Sequence, residues 1–229
     1  MSRLRLSMII WFMFITYAII VAYLWLGQQM LRVPIAAVEV NSDMEHITKQ
    51  EIIDVVQEYI APGFFALNIV ALQQSLTKLP WVAAADLKKV WPDKLVISLT
   101  EKQAVARWGD DGFITTQGEV FYPVTSGVHA LPVLRGNKTE ASKMLVNYLL
   151  INELLSSIGL KINELEIMPD CGWRAMLDNE VILFLGKDAL PERTKRFVLA
   201  YRGLSQTKVA KIGYIDTRYT NGVSVGWKN

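Results

Sequence analysis

Hydrophobic and polar positions divide the chain into three differently patterned stretches. From Met8 to Leu26 it reads Met-Ile-Ile-Trp-Phe-Met-Phe-Ile-Thr-Tyr-Ala-Ile-Ile-Val-Ala-Tyr-Leu-Trp-Leu, without a charge and with Thr16 as the main polar interruption. At about 1.5 Å per residue this comes close to the roughly 20 residues a bilayer span requires. The apolar part of a cleaved signal peptide is shorter, typically about 7–15 residues, and a buried core helix rarely stays uncharged for so long. Residues 8–27 are therefore expected to form a retained transmembrane helix behind a short tail, residues 1–7. Arg3 and Arg5 precede the span and nothing basic follows until Arg32. That bias keeps the N-terminus cytoplasmic and sends the remainder across. Trp11, Tyr23 and Trp25 fall near the ends of the span, where interfacial rings sit.

The second stretch, residues 33–102, mixes helical and strand periods. After a linker over Leu31–Pro34, Ile35–Val40 alternates loosely as a strand. Thr48 followed by Glu51 has the spacing of a capping box, and Ile52, Val55, Val56, Tyr59 and Ile60 then recur at helical spacing. Ala61-Pro62-Gly63 stops that helix. Asn68 can cap a second one with Ile69, Leu72, Leu76 and Leu79 along one face. Pro80 ends it, since proline restricts the residue before it and cannot continue a helix. Val82–Val90 is then a strand, Trp91-Pro92-Asp93 a turn, and from Lys94 the alternation is strict, with Leu95, Ile97 and Leu99 on one face. The order is β-α-α-β-β, suited to a sheet covered on one side by two helices.

Residues 103–229 change to short strands with turn signals and two helices. Ala104–Trp108, Phe113–Thr115, Val120–Tyr122, Ile162–Met168, Trp173–Leu177 and Val181–Leu185 are strands. Thr139–Ile158 is a helix with Leu145, Tyr148, Leu155 and Ile158 inward and Gly159 as its C-cap. A second helix starts at Asp188 and Pro191 and runs to about Leu204, with Leu190, Phe197, Tyr201 and Leu204 inward. Lys211–Thr220 and Val223–Trp227 are expected to form a hairpin around Asn221-Gly222, a two-residue turn signal. The fold class is α+β: an anchor helix, a β-α-α-β-β domain and a mostly β domain with two helices.

Composition sharpens this division. Apolar residues make up 52% of the chain, above a globular norm of about 45–50%, with the excess in the N-terminal span. The formal charge of +2 comes from Arg3 and Arg5, so the body is neutral and offers no electrostatic footprint for nucleic acid. One cysteine, Cys171, leaves neither an internal disulfide framework nor a Cys-based zinc site on the chain.

The search for chemistry finds no catalytic constellation, cofactor motif or metal set. His46 and His129 lie far apart in loops and are expected to be solvated, since zinc or general-base roles need partners within hydrogen-bond reach. There is no Gly-x-Ser-x-Gly or His-Glu-x-x-His, and Gly186-Lys187 lacks the earlier glycine of a phosphate-binding loop. The acid pairs Asp110/Asp111 and Glu164/Glu166 fit a solvated turn and an exposed strand face. Cys171 fits a small buried hydrophobe. Asn137-Lys138-Thr139 matches the glycosylation acceptor pattern, which is common by chance. Lys88, Lys89, Lys94 and Lys102 form a basic stretch, either a solvated sheet face or a contact for anionic headgroups.

The final hairpin is the more informative feature. A strand over 223–227 at a sheet edge presents backbone groups that can template another strand, without proline or charge until Lys228. Its neighbourhood carries aromatic and arginine side chains, the usual interface anchors. Strand addition is the recognition mode this implies, the alternative being that these rings close the domain's own core.

The β-α-α-β-β order, Leu79-Pro80-Trp81-Val82, Trp91-Pro92-Asp93-x-Leu95-x-Ile97-x-Leu99-x-Glu101 and Ala106-Arg107-Trp108 together resemble the FtsQ/DivIB family of bacterial cell division proteins, whose first extracytoplasmic domain is a POTRA domain. The likeness covers nearly the whole chain, although POTRA domains of outer-membrane assembly and secretion proteins share that part of the fold. It implies a non-enzymatic, single-pass, N-in inner-membrane scaffold, with its bulk in the periplasm at the division septum and no cofactor. The partners implied are FtsB and FtsL, and through them FtsW and FtsI. The family's Arg-Tyr-x-x-Gly-x-x-x-Gly-Trp pattern falls on Arg218, Tyr219, Gly222, Gly226 and Trp227. With Asn221, Val223 and Val225, the first three of these and Trp227 are the partner-binding residues expected here. A POTRA-type chaperone for envelope proteins and a membrane-tethered periplasmic enzyme are the other classes consistent with the layout.

Overall fold

A computed structural model describes residues 2–30, 33–42, 45–123, 130–204 and 206–228, with side chains at all of these except 2–10, 26, 28–30 and 206. The first element, α1, is an uninterrupted helix over Ser2–Met30. Its described apolar side chains, among them Trp11, Phe14, Ile19, Tyr23 and Trp25, are exposed. Within the span expected over 8–27, the side chains of 8–10 and 26 lie outside the described ones. Among the described residues no helix is long and apolar enough to cross a membrane.

The chain divides into two units, Met1–Lys102 and Gln103–Asn229. In the first, α1 is followed by β1 (Ala37–Asn41), α2 (Lys49–Ile60), α3 (Ile69–Leu76), β2 (Val82–Val90) and β3 (Lys94–Glu101). Local chemistry sets the helix starts. The Thr48 side chain accepts from the Glu51 N–H, and the Glu51 carboxylate accepts from the Thr48 N–H at 2.8 Å, a complete capping box. The Asn68 carbonyl oxygen accepts from the Ala71 N–H at 3.1 Å. The sheet order is β1-β3-β2, with β3 parallel to β1 and antiparallel to β2. Leu95, Ile97 and Leu99 are buried, as are Ile52 and Val56 of α2 and Leu72 and Leu76 of α3. Each such side chain contributes about 1.5–3 kcal/mol by leaving water.

The expected basic stretch does not form one surface. Strand alternation sends Lys88 and Lys89 to opposite faces. Lys89 turns to the helix side and donates to the Leu67 carbonyl at 3.0 Å, while Lys94 pairs with Glu39.

The second unit contains β4 (Ala104–Trp108), β5 (Gly112–Thr115), β6 (Val120–Phe121), β7 (Val133–Arg135), α4 (Ala141–Ser156), β8 (Ile162–Met168), β9 (Gly172–Leu177), β10 (Ile182–Gly186), α5 (Leu190–Arg202), α6 (Gln206–Val209), β11 (Ile212–Asp216) and β12 (Ser224–Trp227). Its sheet runs β12-β11-β10-β9-β8-β7-β4-β5-β6. The register lines up Leu134, Leu165, Ala175, Leu183 and Ile215, all fully buried, as one row across five strands. Met144, Ile151 and Leu155 of α4 and Phe197 of α5 belong to the same core.

Several expectations need correction. Strand β7 and helix α6 add to the predicted elements, and a single 3-10 turn, Lys138–Glu140, precedes α4. Asp188 does not cap α5: Ala189 does, in the left-handed region at φ 52° and without a side-chain bond. Asn221-Gly222 is not a two-residue turn, because β11 ends at Asp216 and β12 begins at Ser224. The wider connection follows from bonds made outside the hairpin. Thr217 donates both its N–H and its hydroxyl to the Phe184 carbonyl of β10, at 3.0 and 2.9 Å. The Arg196 guanidinium of α5 donates to the Thr217 and Tyr219 carbonyls. These hold the chain away from β12 before it can turn back.

Candidate partner-binding edge

Strand β12 is the last strand of the large sheet. It pairs antiparallel with β11, with Ser224 opposite Asp216, Val225 opposite Ile215, Gly226 opposite Tyr214 and Trp227 opposite Ile212. Val225 therefore ends the buried Leu134–Ile215 row, and it packs with Val223 against the core. Apolar contact fixes the strand, while among the described residues its far border has no neighbour in the sheet. The direction of its backbone groups follows from one bond. The Lys228 N–H donates to the Lys211 carbonyl at 2.6 Å, so position 228 faces β11. Counting back along an antiparallel strand, Gly226 and Ser224 also face inward, and the N–H and C=O of Val225 and Trp227 point away from the sheet.

The side chains around this border are aromatic and exposed: Tyr219 at 59%, Trp227 at 51% and Tyr214 at 45%. A Cβ built on Gly226 would lie 2.0 Å from the Tyr214 ring, so the missing side chain lets that ring lie across the strand. On the sheet face opposite the helices, Tyr214 meets Phe184 edge-on at 6.0 Å, and the Arg218 guanidinium lies 5.7 Å from the centre of the Phe184 ring. Arg218 is fixed there by Asp216, whose oxygens accept from its backbone N–H and from Nε and Nη2 at 2.6–3.0 Å. Burial opposes ionisation of Asp216, but the Arg218 donors outweigh it, with help from the Arg193 charge, and hold the carboxyl below its ordinary value.

The seven expected residues thus fall into two groups. Val225 and Trp227 lie on the edge strand, with Val223 immediately before it. Arg218, Tyr219, Asn221 and Gly222 lie in the 217–223 connection, where Asn221 is exposed and Gly222 half-buried. Sequence reasoning missed Phe184, Tyr214, Asp216 and Arg196. The first two were legible in principle, as the aromatic positions alternating with buried Leu183 and Ile215.

The remaining candidates resolve into structural roles. His46 is not a solvated loop residue. Its ring stacks on Trp81, with centroids 3.9 Å apart, and its Nδ1 lies 3.1 Å from the Glu101 carboxylate, which also accepts from the His46 and Ile47 N–H groups. His129 lies outside the described residues. Asp110 and Glu164 both bind Arg135, and Glu166 binds Arg174. Asn137 accepts from the Thr139 N–H at 3.1 Å as a cap. Cys171 is half-buried. Among the described residues no group of three metal-ligating side chains converges.

Comparison with known proteins agrees with this architecture. Residues 33–102 match the model of the FtsQ-type POTRA domain, and residues 106–218 match that of the FtsQ/DivIB C-terminal domain. The second match ends at Arg218, so Tyr219–Trp227 lie beyond it. The cell division protein FtsQ of Shewanella oneidensis is 33% identical over 85% of this chain and 74% of its own length. That of Vibrio cholerae is 32% identical over 90% and 79%. The FtsQ of Cellvibrio japonicus is 33% identical over 87% of this chain, which spans 63% of that longer protein. A POTRA unit followed by the matching C-terminal sheet, with relatives at this level of identity, places the chain in the FtsQ/DivIB family of bacterial cell division proteins.

Proposed function

We propose that this chain is a non-enzymatic scaffold of the division machinery, anchored in the inner membrane by residues 8–27 with its two units in the periplasm. Its task is to hold a pair of small division proteins, FtsB and FtsL, and to connect them with the septal peptidoglycan synthases FtsW and FtsI. The observation that carries the reading is the border of β12. Two residues, Val225 and Trp227, offer outward backbone donors and acceptors, and exposed Tyr219 and Trp227 stand beside them. A partner strand laid there completes backbone pairs that water otherwise satisfies, and the rings supply the apolar contact that makes the association specific. Arg218, held by Asp216 over Phe184, adds a positive group for an acidic side chain of the incoming segment.

The test is capture of the FtsB–FtsL periplasmic pair by the membrane-embedded full chain. Tyr219→Ala and Trp227→Ala are expected to lose the pair while retaining the folded sheet, judged by circular dichroism. Capture at the unsubstituted level by both variants contradicts strand addition at this edge.

A further inference from the structure

The most exposed large hydrophobic side chain among the described residues outside α1 is Trp91, 78% accessible at the β2–β3 turn. Nothing in the proposed partner edge uses it. A second exposed ring, Phe65 at 45%, lies in the connection between α2 and α3. The fold brings the two to one end of the first unit. Lys89, two residues before Trp91, donates to the Leu67 carbonyl at 3.0 Å and lies 5.6 Å from the centre of the Phe64 ring. Phe64 in turn meets Phe65 edge-on at 5.3 Å.

This is also the end at which the chain enters from α1. The Phe64 N–H donates to the Val33 carbonyl at 2.8 Å, and the Ala36 N–H to the Asp93 carbonyl at 3.0 Å. Strand β1 pairs from its first residue with the first residue of β3, Ala37 with Lys94. Covalent reach then sets a limit. From Leu26, where the apolar run ends, four helical steps to Met30 add about 6 Å. Three extended residues from Met30 to Val33 add at most about 11 Å. The headgroup layer beyond the hydrocarbon is itself about 5–8 Å thick on each side. Val33 can thus lie at most about 17 Å from Leu26, which keeps the Phe65 connection and the Trp91 turn within reach of the lipid headgroups, where aromatic rings partition.

We infer that Trp91 and Phe65 dock this end of the first unit on the bilayer surface, with phospholipid as the partner. The inference rests on the reading of residues 8–27 as a membrane anchor. The bilayer contact gives the unit a second attachment to the membrane besides the helix.

The experiment uses the full chain with Cys171→Ser, in vesicles of phosphatidylethanolamine and phosphatidylglycerol. A nitroxide is attached in turn at Ala18→Cys in the anchor, Asp93→Cys at the turn and Lys78→Cys at the opposite end, just before β2. Collision with lipid-soluble oxygen is compared with collision with an aqueous nickel chelate. The label at 93 is expected between those at 18 and 78 in its preference for oxygen, and to fall to the value at 78 when Phe65→Ser and Trp91→Ser are added. A label at 93 that matches 78 while 18 is lipid-buried overturns the inference and leaves the anchor standing. So does an interfacial value at 93 that the two serines leave unchanged. A water-exposed label at 18 overturns the anchor, and the inference with it.

Discussion

The two sheets of this protein treat their borders differently. Strand β2, at the edge of the small sheet, spans Val82–Val90 and carries Asp86 and Lys88 as exposed charges. Its Ala85 carbonyl is bound by the Gln73 side chain from α3 at 2.6 Å. Strand β12, at the edge of the large sheet, is only Ser224–Trp227 and contains no charged residue. Its side chains are divided between the core, through Val225, and solvent, through Trp227. Charges and a side-chain cap are the usual means by which an edge is kept from pairing with another chain. One border is thus guarded along its length and the other is left able to accept a strand. The contrast separates a guarded edge from the one that the proposed strand addition would use.

Substitutions can break or sharpen that contrast. The largest effect is expected at the exposed rings. Tyr219→Ala and Trp227→Ala should each weaken FtsB–FtsL binding by about 2 kcal/mol or more, roughly 30-fold, measured by calorimetry. Val225→Pro comes next. It removes a donor that faces away from β11, so it should cost about 1–2 kcal/mol of binding and leave the β11–β12 pairing intact. The same substitution at Gly226 would instead remove an inward donor and destabilise the edge itself.

A smaller effect is expected from Asp216→Asn, read as stability against pH. The Asp216 carboxyl lies below its ordinary value of 3.8, so the ion pair with Arg218 contributes fully above that value. Its contribution is lost as pH falls through the lower folded value. Thermal melts of the unsubstituted chain should lose stability on acidification below about pH 4, and those of Asp216→Asn should lose less. The smallest effect is at β2. Asp86→Val with Lys88→Val should leave partner binding unchanged and raise only the tendency to self-associate, measured by light scattering.

Much of the first unit was legible because its signals are local. Thr48 with Glu51, Asn68 before Ile69, and the Leu95–Ile97–Leu99 alternation each name their element within a few residues. The second unit was less so where distant parts of the chain decide. Val133–Arg135 is too short to display a period, yet it joins β4 to β8 at the middle of the sheet. Asn221-Gly222 carries a strong turn signal, overridden because Thr217 is bound to Phe184 and Arg196 grips the carbonyls of Thr217 and Tyr219. His46 reads as a loop residue until Trp81 and Glu101 fold against it. At the candidate edge, a strand close to Ser224–Trp227 was legible from its pattern, whereas the outward direction of the Val225 and Trp227 backbone groups was not. The Asp216–Arg218–Phe184–Tyr214 support was not legible either, because it is assembled from two parallel strands well apart in sequence and the connection that follows the second.

Amide hydrogen exchange, followed residue by residue on the full chain with and without the FtsB–FtsL periplasmic pair, tests the central claim most directly. Strand addition predicts that binding slows exchange at Val225 and Trp227, with the amides of β2 unchanged. A bound partner that leaves both amides exchanging at their free rate would contradict it.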